Sequence, residues 1–174
     1  MASPLHLAKR GIATAIPLGA SKTDDAWARE ALLPGELDLW ARMKPADRRH
    51  AAGVARRVEQ ALGADATRPV LAAALLHDVG KIEARFGAYR RTLATLCAIA
   101  VKHDQDVIRA WTKATGFTRR VGLYLQHPKL GGDLLGIAGS DPLTEAWTRE
   151  HHLPESEWTV PPDIARVLKD ADDD

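Results

Sequence analysis

Five of the seven histidines in this sequence fall on the faces or at the ends of predicted helices, and two aspartates stand beside them. The constellation is His50, His77, Asp78, His127, His151, His152 and Asp170. Imidazole and carboxylate groups together suit Mn, Fe, Zn, Ni or Co. Because Cys97 is the only cysteine, a thiolate zinc site and an internal disulfide are both excluded. The set indicates a centre for one or two divalent metal ions.

Asp78 and Lys81 are the candidate catalytic residues. A carboxylate has two oxygens, so Asp78 could bridge two ions, and two ions together clamp a phosphate and lower the pKa of a water molecule. Lys81 follows Asp78 by one helical turn and could hold a phosphate oxygen as a fixed positive charge. The alternative for Lys81 is an exposed residue that only satisfies the helix end after Gly80.

The elements that must position these residues are predicted to be helices, because Ala, Leu, Arg and Glu dominate the segments between Pro and Gly. On the segment 45–62, apolar residues at helical spacing place His50 on an inward face. Residues 70–76 are all apolar, which predicts a central helix that delivers His77 and Asp78 from the core. The predicted helices cover residues 24–33, 36–43, 45–62, 70–76, 90–101, 105–115, 118–125, 129–135, 142–150 and 163–170.

The fold class predicted from this pattern is all-α, with a single domain over residues 24–174 and an N-terminal tail over residues 1–23. No apolar run is long enough to cross a membrane, and residues 1–23 lack the continuous apolar stretch of a signal peptide. With one cysteine, the composition suits a reducing cytosol, so a cytoplasmic location is expected.

The formal net charge of +1 provides no global field that would attract nucleic acid or an anionic membrane. A local basic face could still be present at Arg90-Arg91 or at Arg119-Arg120. The expected partner is a small phosphorylated molecule, because two metal ions and Lys81 would together bind a phosphate. The sequence does not indicate an oligomeric state.

The order of these elements resembles the HD superfamily of metal-dependent phosphohydrolases, and within it the HD-GYP branch. The matching elements are His50, LLHDVGKIE with His77 and Asp78, QHPKLGGDLL with His127, REHH with His151 and His152, and VLKDADDD with Asp170. The resemblance covers roughly residues 36–174. It departs from the branch after His152, where the Gly-Tyr-Pro motif is absent, and the stretch between Asp78 and His127 has room for an extra helix pair that would shape the pocket.

This resemblance implies an HD-type helical bundle and a division of the ligands between two metals. One metal would be held by His50, His77, Asp78 and Asp170, and the second by His127, His151 and His152 with Asp78 as the bridge. A metal-activated hydroxide would then hydrolyse a phosphate mono- or diester, such as a nucleotide, with Lys81 neutralising the phosphate charge.

Two alternatives remain open at this point. Some relatives with an HD-type fold use a di-iron centre to oxidise C–H or C–P bonds, and the same ligands would serve. Others have lost activity and act as sensors or scaffolds, which the absent Gly-Tyr-Pro motif would allow.

Overall fold

The computed structural model of the protein describes residues 19–173, apart from the side chains of residues 88 and 89. Every regular element in these residues is a helix, so the all-α prediction is confirmed for a single-domain bundle. Most of the predicted tail lies outside the described residues, and its last two positions already belong to the first helix.

The α-helices are α1 (Lys22–Ala31), α2 (Pro34–Arg42), α3 (Pro45–Leu62), α4 (Arg68–Leu76), α5 (Lys81–Ala84), α6 (Ala88–Ala100), α7 (Gln105–Thr112), α8 (Gly116–Leu125), α9 (His127–Ala138), α10 (Pro142–Glu150) and α11 (Pro162–Asp173). Single 3₁₀ turns occupy Gly63–Asp65 and Glu155–Glu157. The bounds of α3 and α10 match the predicted 45–62 and 142–150, because proline suits the first helical turn. The short α5 was not predicted.

Helix α4 lies at the centre of the bundle, as its uninterrupted apolar sequence predicts. All of its residues from Val70 to Leu76 are buried except Leu71, which is partly buried. It packs against α3 and α10, while α3 packs against α11 and α9 against α10. The turn that follows α4, residues 77–80, therefore lies between the helices that surround the main core.

Helices α5 to α8 form the segment between Asp78 and His127, and they enclose a small core of their own. That core is built from Ala84, Phe86, Ala94, Val121 and Leu123. It lies beside the main core, with α5 and α6 both packed on α8. No helix in residues 19–173 is long and apolar enough to span a bilayer.

Gly80 sets the close approach between the turn after α4 and the start of α9. A Cβ atom at this position would lie 2.0 Å from the carbonyl oxygen of His127 and 2.7 Å from the amide nitrogen of Gly131. Both neighbours are backbone atoms and cannot rotate away. The missing side chain is therefore what allows Asp78 and His127 to face each other.

Gly80→Ala is expected to lower the free energy of unfolding by about 2 kcal/mol or more, because the added methyl group forces two packed backbones apart. Denaturant titration monitored by circular dichroism measures this loss. Gly87→Ala is the matched control, since a Cβ there meets no atom within 4 Å. Equal stability of the two variants would contradict the packing argument.

Candidate metal centre

The cluster is assembled from the ends of α4, α8–α9 and α10 together with the sides of α3 and α11. His50 lies within α3, His77 and Asp78 follow α4, and His127 is the first residue of α9. His151 and His152 follow α10, and Asp172 lies in the last turn of α11. His77, Asp78, His127, His151 and Asp172 are buried, His50 is partly buried, and His152 is exposed.

Three of the histidines are oriented in the same way. Each ring places Nδ1 within hydrogen-bond distance of the backbone carbonyl three residues earlier. The pairs are His77 with Ala74 at 2.9 Å, His127 with Tyr124 at 2.7 Å and His151 with Thr148 at 2.9 Å. A carbonyl can only accept, so Nδ1 carries the proton and donates. This contact directs Nε2 of each ring toward the interior, as is usual for histidines that bind metals.

The three Nε2 atoms converge on the carboxylate of Asp78. They lie 3.2 Å (His127), 3.5 Å (His77) and 3.8 Å (His151) from its oxygens. All three are buried, and none has a hydrogen-bond partner among the described residues. A lone pair on nitrogen and a carboxylate oxygen repel each other unless a proton or a cation lies between them. The donor set therefore fits a divalent metal ion.

Two groups of side chains have ligand atoms close enough together to hold an ion, and Asp78 belongs to both. One group is Asp78, His127, His151 and His152, and the other is His50, His77 and Asp78. Asp172 extends the second group, because its Oδ1 lies 2.9 Å from Nε2 of His50 and 3.5 Å from Nε2 of His77. A single bridging carboxylate between two ligand groups is compatible with a binuclear centre.

The structure places Asp170, a predicted ligand, outside the cluster and brings Asp172 into it. Asp170 is exposed on the outer face of α11, whereas Asp172 is only 4% exposed and lies in the cluster. Residues two apart on an α-helix differ by about 200° in direction, so one of them must face away from the other. The motif resemblance indicates the first aspartate of the DADDD run, whereas the helix buries the second one.

A sequence signal for Asp172 does exist. Helix α11 buries Ala165, Leu168 and Ala171, and continuing that helical spacing by four residues from Leu168 reaches Asp172. The predicted helix ended too early for this pattern to be seen. The last turn does not fray, because the Arg57 guanidinium donates two hydrogen bonds to the Ala171 carbonyl, at 2.6 and 3.0 Å.

Lys81 is not the exposed helix-end residue of the alternative interpretation. Its side chain is only 15% exposed, and its ammonium forms an ion pair with Oδ2 of Asp78. Burial lowers the pKa of Lys81, but the Asp78 carboxylate outweighs this effect and the pKa is raised. The lysine is thus charged and directly beside the carboxylate shared by the two ligand groups.

The electrostatics divide the histidines into two kinds. Burial lowers the pKa of His127 and His151. His152 is exposed as a residue, but its ring lies against the rings of His151 and His127, and this loss of contact with water lowers its pKa to about 4. The three rings are therefore neutral near pH 7 and available as ligands. Burial acts in the same direction on His77, but the carboxylates of Asp78 and Asp172 raise its pKa to about 10. The metal-free protein therefore holds a proton on His77, where a metal would bind.

Metal binding is expected to release about one proton per protein between pH 7 and pH 9, because an ion must replace the His77 proton. The apparent affinity should consequently rise with pH over this window, which lies below the raised pKa of about 10. Titration calorimetry in two buffers of different ionisation enthalpy measures the released protons. Binding with no buffer dependence would show that His77 is already neutral in the metal-free protein.

Comparison of the chain with known protein families, with curated proteins and with solved structures finds no match. The helical architecture and the buried cluster of histidines and aspartates are loosely compatible with an HD-type domain. The structure itself thus shows a largely buried cluster of histidine and aspartate side chains that could hold a metal ion.

Proposed function

We propose that this protein is a metal-dependent hydrolase that cleaves a phosphate ester in a small molecule, such as a nucleotide or a related phosphomono- or diester. The observation that carries the proposal is the convergence of three buried, unpartnered Nε2 atoms on the Asp78 carboxylate. Burying such groups together is costly unless a cation receives them. The motif order that resembles the HD superfamily supports the same chemistry.

The residues divide into two ligand groups under this proposal. His50, His77 and Asp172 would hold one ion, His127, His151 and His152 would hold the other, and Asp78 would be shared by both. When bound, such ions lower the pKa of water to near neutrality and neutralise charge on a phosphate. Backbone carbonyls orient the rings of His77, His127 and His151, which are buried, whereas His152 and part of His50 are open to solvent.

Lys81 supplies the positive charge for the substrate. Its ion pair with Asp78 holds the ammonium at the edge of the cluster. If Asp78 served as a metal ligand, the Lys81 ammonium beside it would be available to bind a phosphate oxygen. An ammonium acts here as a point charge and does not itself transfer a proton while its pKa stays raised.

The test begins with elemental analysis of protein purified without chelator, and continues with hydrolysis assays on p-nitrophenyl phosphate, bis(p-nitrophenyl) phosphate and nucleotides. Close to two equivalents of Mn, Fe, Zn, Ni or Co and cleavage of at least one ester would support the proposal. Mixed-valence iron with substrate-dependent oxygen uptake would instead support the di-iron alternative. An absence of metal after reconstitution would overturn both enzyme functions and leave a sensor or scaffold.

A further inference from the structure

A second group of charged side chains lies beside the metal centre, where α6 meets α3. The Arg91 guanidinium donates hydrogen bonds from Nη1 and Nη2 to the two oxygens of Asp47, at 2.5 and 2.6 Å. Asp47 precedes His50 by three residues on α3, so both lie on the same side of that helix. Arg91 thus brings the extra helical segment into contact with the helix that carries a proposed metal ligand.

The guanidinium of Arg91 retains capacity for another anion. Asp47 uses two of its five N–H donors, and the Nε of Arg91 is buried and has no hydrogen-bond partner among the described residues. Its charge also reaches the metal centre: Asp78 is among the groups that raise the pKa of Arg91, and Arg91 opposes the rise in the pKa of Lys81. Arg91 and Lys81 are therefore within electrostatic reach of each other.

Lys44 is the third cation of this group. Its ammonium donates a hydrogen bond to the carbonyl oxygen of Phe86, at the entrance to α6. Burial and the positive charge of Arg91 lower the pKa of Lys44. The carbonyl provides no compensating charge, so Lys44 and Arg91 share the single carboxylate of Asp47.

The charges are unbalanced once Asp78 is committed to metal. Lys81 and Arg91 are largely buried and Lys44 is partly buried, and among the described residues the carboxylate that hydrogen-bonds to this group, apart from Asp78, is that of Asp47. Buried charge without a partner is unfavourable, and an anionic ligand would relieve it. Lys81 contacts Asp78, and Arg91 interacts electrostatically with both of these groups, so positive charge is concentrated near Asp78.

We propose that Arg91, Lys81 and Lys44 form an anion position at the edge of the metal centre, which selects the dianionic phosphate of a phosphomonoester over a phosphodiester. The inference rests on the proposed hydrolase function and narrows its substrate class. A monoester phosphate has two charges and three non-bridging oxygens. If two of these oxygens bound metal ions, the third would be available to Arg91, Lys81 and Lys44. A phosphodiester has one negative charge, and a second organic substituent takes the place of the third oxygen.

Inorganic phosphate is the probe for binding, measured by calorimetry on the metal-loaded full chain. Arg91→Gln is expected to weaken phosphate binding on the order of ten- to a hundredfold, as for loss of a charge-assisted hydrogen bond to a buried group. Arg90→Gln is the matched control, because Arg90 is the exposed neighbour on the same helix and its loss changes the net charge equally. We expect Arg90→Gln to bind phosphate as the wild type does.

Loss of Arg91 alone leaves the buried Asp47 carboxylate unpaired and could unfold the protein. The double variant Asp47→Asn/Arg91→Gln removes both charges together, so that neither is left buried without its partner. It is expected to fold and to show the same weakened phosphate binding. Wild-type phosphate affinity in the folded double variant would overturn the anion position.

Substrate selectivity gives a second readout. In Arg91→Gln, kcat/KM for p-nitrophenyl phosphate should fall on the order of ten- to a hundredfold, with a much smaller change for bis(p-nitrophenyl) phosphate. Equal losses of kcat/KM on both esters, or equal effects of Arg90→Gln and Arg91→Gln, would overturn the inference. If the wild-type protein contains metal in that case, the hydrolase proposal still stands. Absence of metal from the wild type would overturn the proposed function itself.

Discussion

Asp78→Asn should leave the protein almost free of metal and lower ester hydrolysis by at least about a hundredfold. Substitution of residues that only support metal ligands already lowers affinity or activity by about 10–100-fold, and loss of a ligand itself should cost at least as much. Asp78 is the one residue shared by the two ligand groups. Asparagine keeps the size of the side chain but removes the negative charge and one of the two ligand oxygens. A single substitution is thus expected to weaken both metal positions at once.

Elemental analysis and the hydrolysis assay are made on Asp78→Asn beside Asp106→Asn, whose side chain is 92% exposed. The control should keep the metal content and activity of the wild type. In Asp78→Asn, Lys81 and His77 lose their shared carboxylate partner, which could destabilise the fold. Circular dichroism therefore has to establish that this variant is folded. Retention of two metal equivalents in a folded Asp78→Asn protein would contradict the bridging role.

Asp172→Asn and Asp170→Asn form the second decisive comparison, since the two residues lie two positions apart on one helix. Asp172→Asn should lose about one of the two metal equivalents, because Asp172 contacts His50 and His77 but belongs to only one ligand group. Asp170→Asn should bind metal as the wild type does, because its side chain faces solvent. The expected loss of affinity at the Asp172 position is at least about tenfold.

Metal content and the affinity for the weaker of the two ions are measured side by side in both variants. The two substitutions are chemically identical and change the net charge equally, so nonspecific electrostatic effects cancel in the comparison. Loss of metal in Asp170→Asn with retention in Asp172→Asn would restore the motif-based assignment. It would also require α11 to rotate relative to the described structure.

Most of the helical architecture could be predicted from the sequence, for reasons that are local. Proline in the first turn begins α3 and α10, and apolar residues around the whole circumference of α4 require burial on every side. The segment α5 was not predicted because it spans only one turn, Lys81–Ala84, which is too short for a periodic pattern.

The histidines of the cluster were found from the sequence because their helical positions and motif order are visible there. The structure brings His50, His77, His127, His151 and His152 together around Asp78. Which aspartate of the terminal run joins them could not be decided by the motif. That choice depends on the rotation of α11 against α3, which is set by the burial of apolar residues such as Ala165 and Leu168.

The sequence by itself determined the chemical types that could bind a metal and the helices that carry them, because both depend on residue identity and short-range spacing. Only the tertiary structure decided which groups meet across the fold. In the folded protein the Nε2 atoms face Asp78, and Asp172 rather than Asp170 contacts the cluster. Arg91 forms hydrogen bonds to Asp47, which is 44 residues away in the sequence. Contacts between distant segments arise from the packing of whole helices, and no local pattern encodes them.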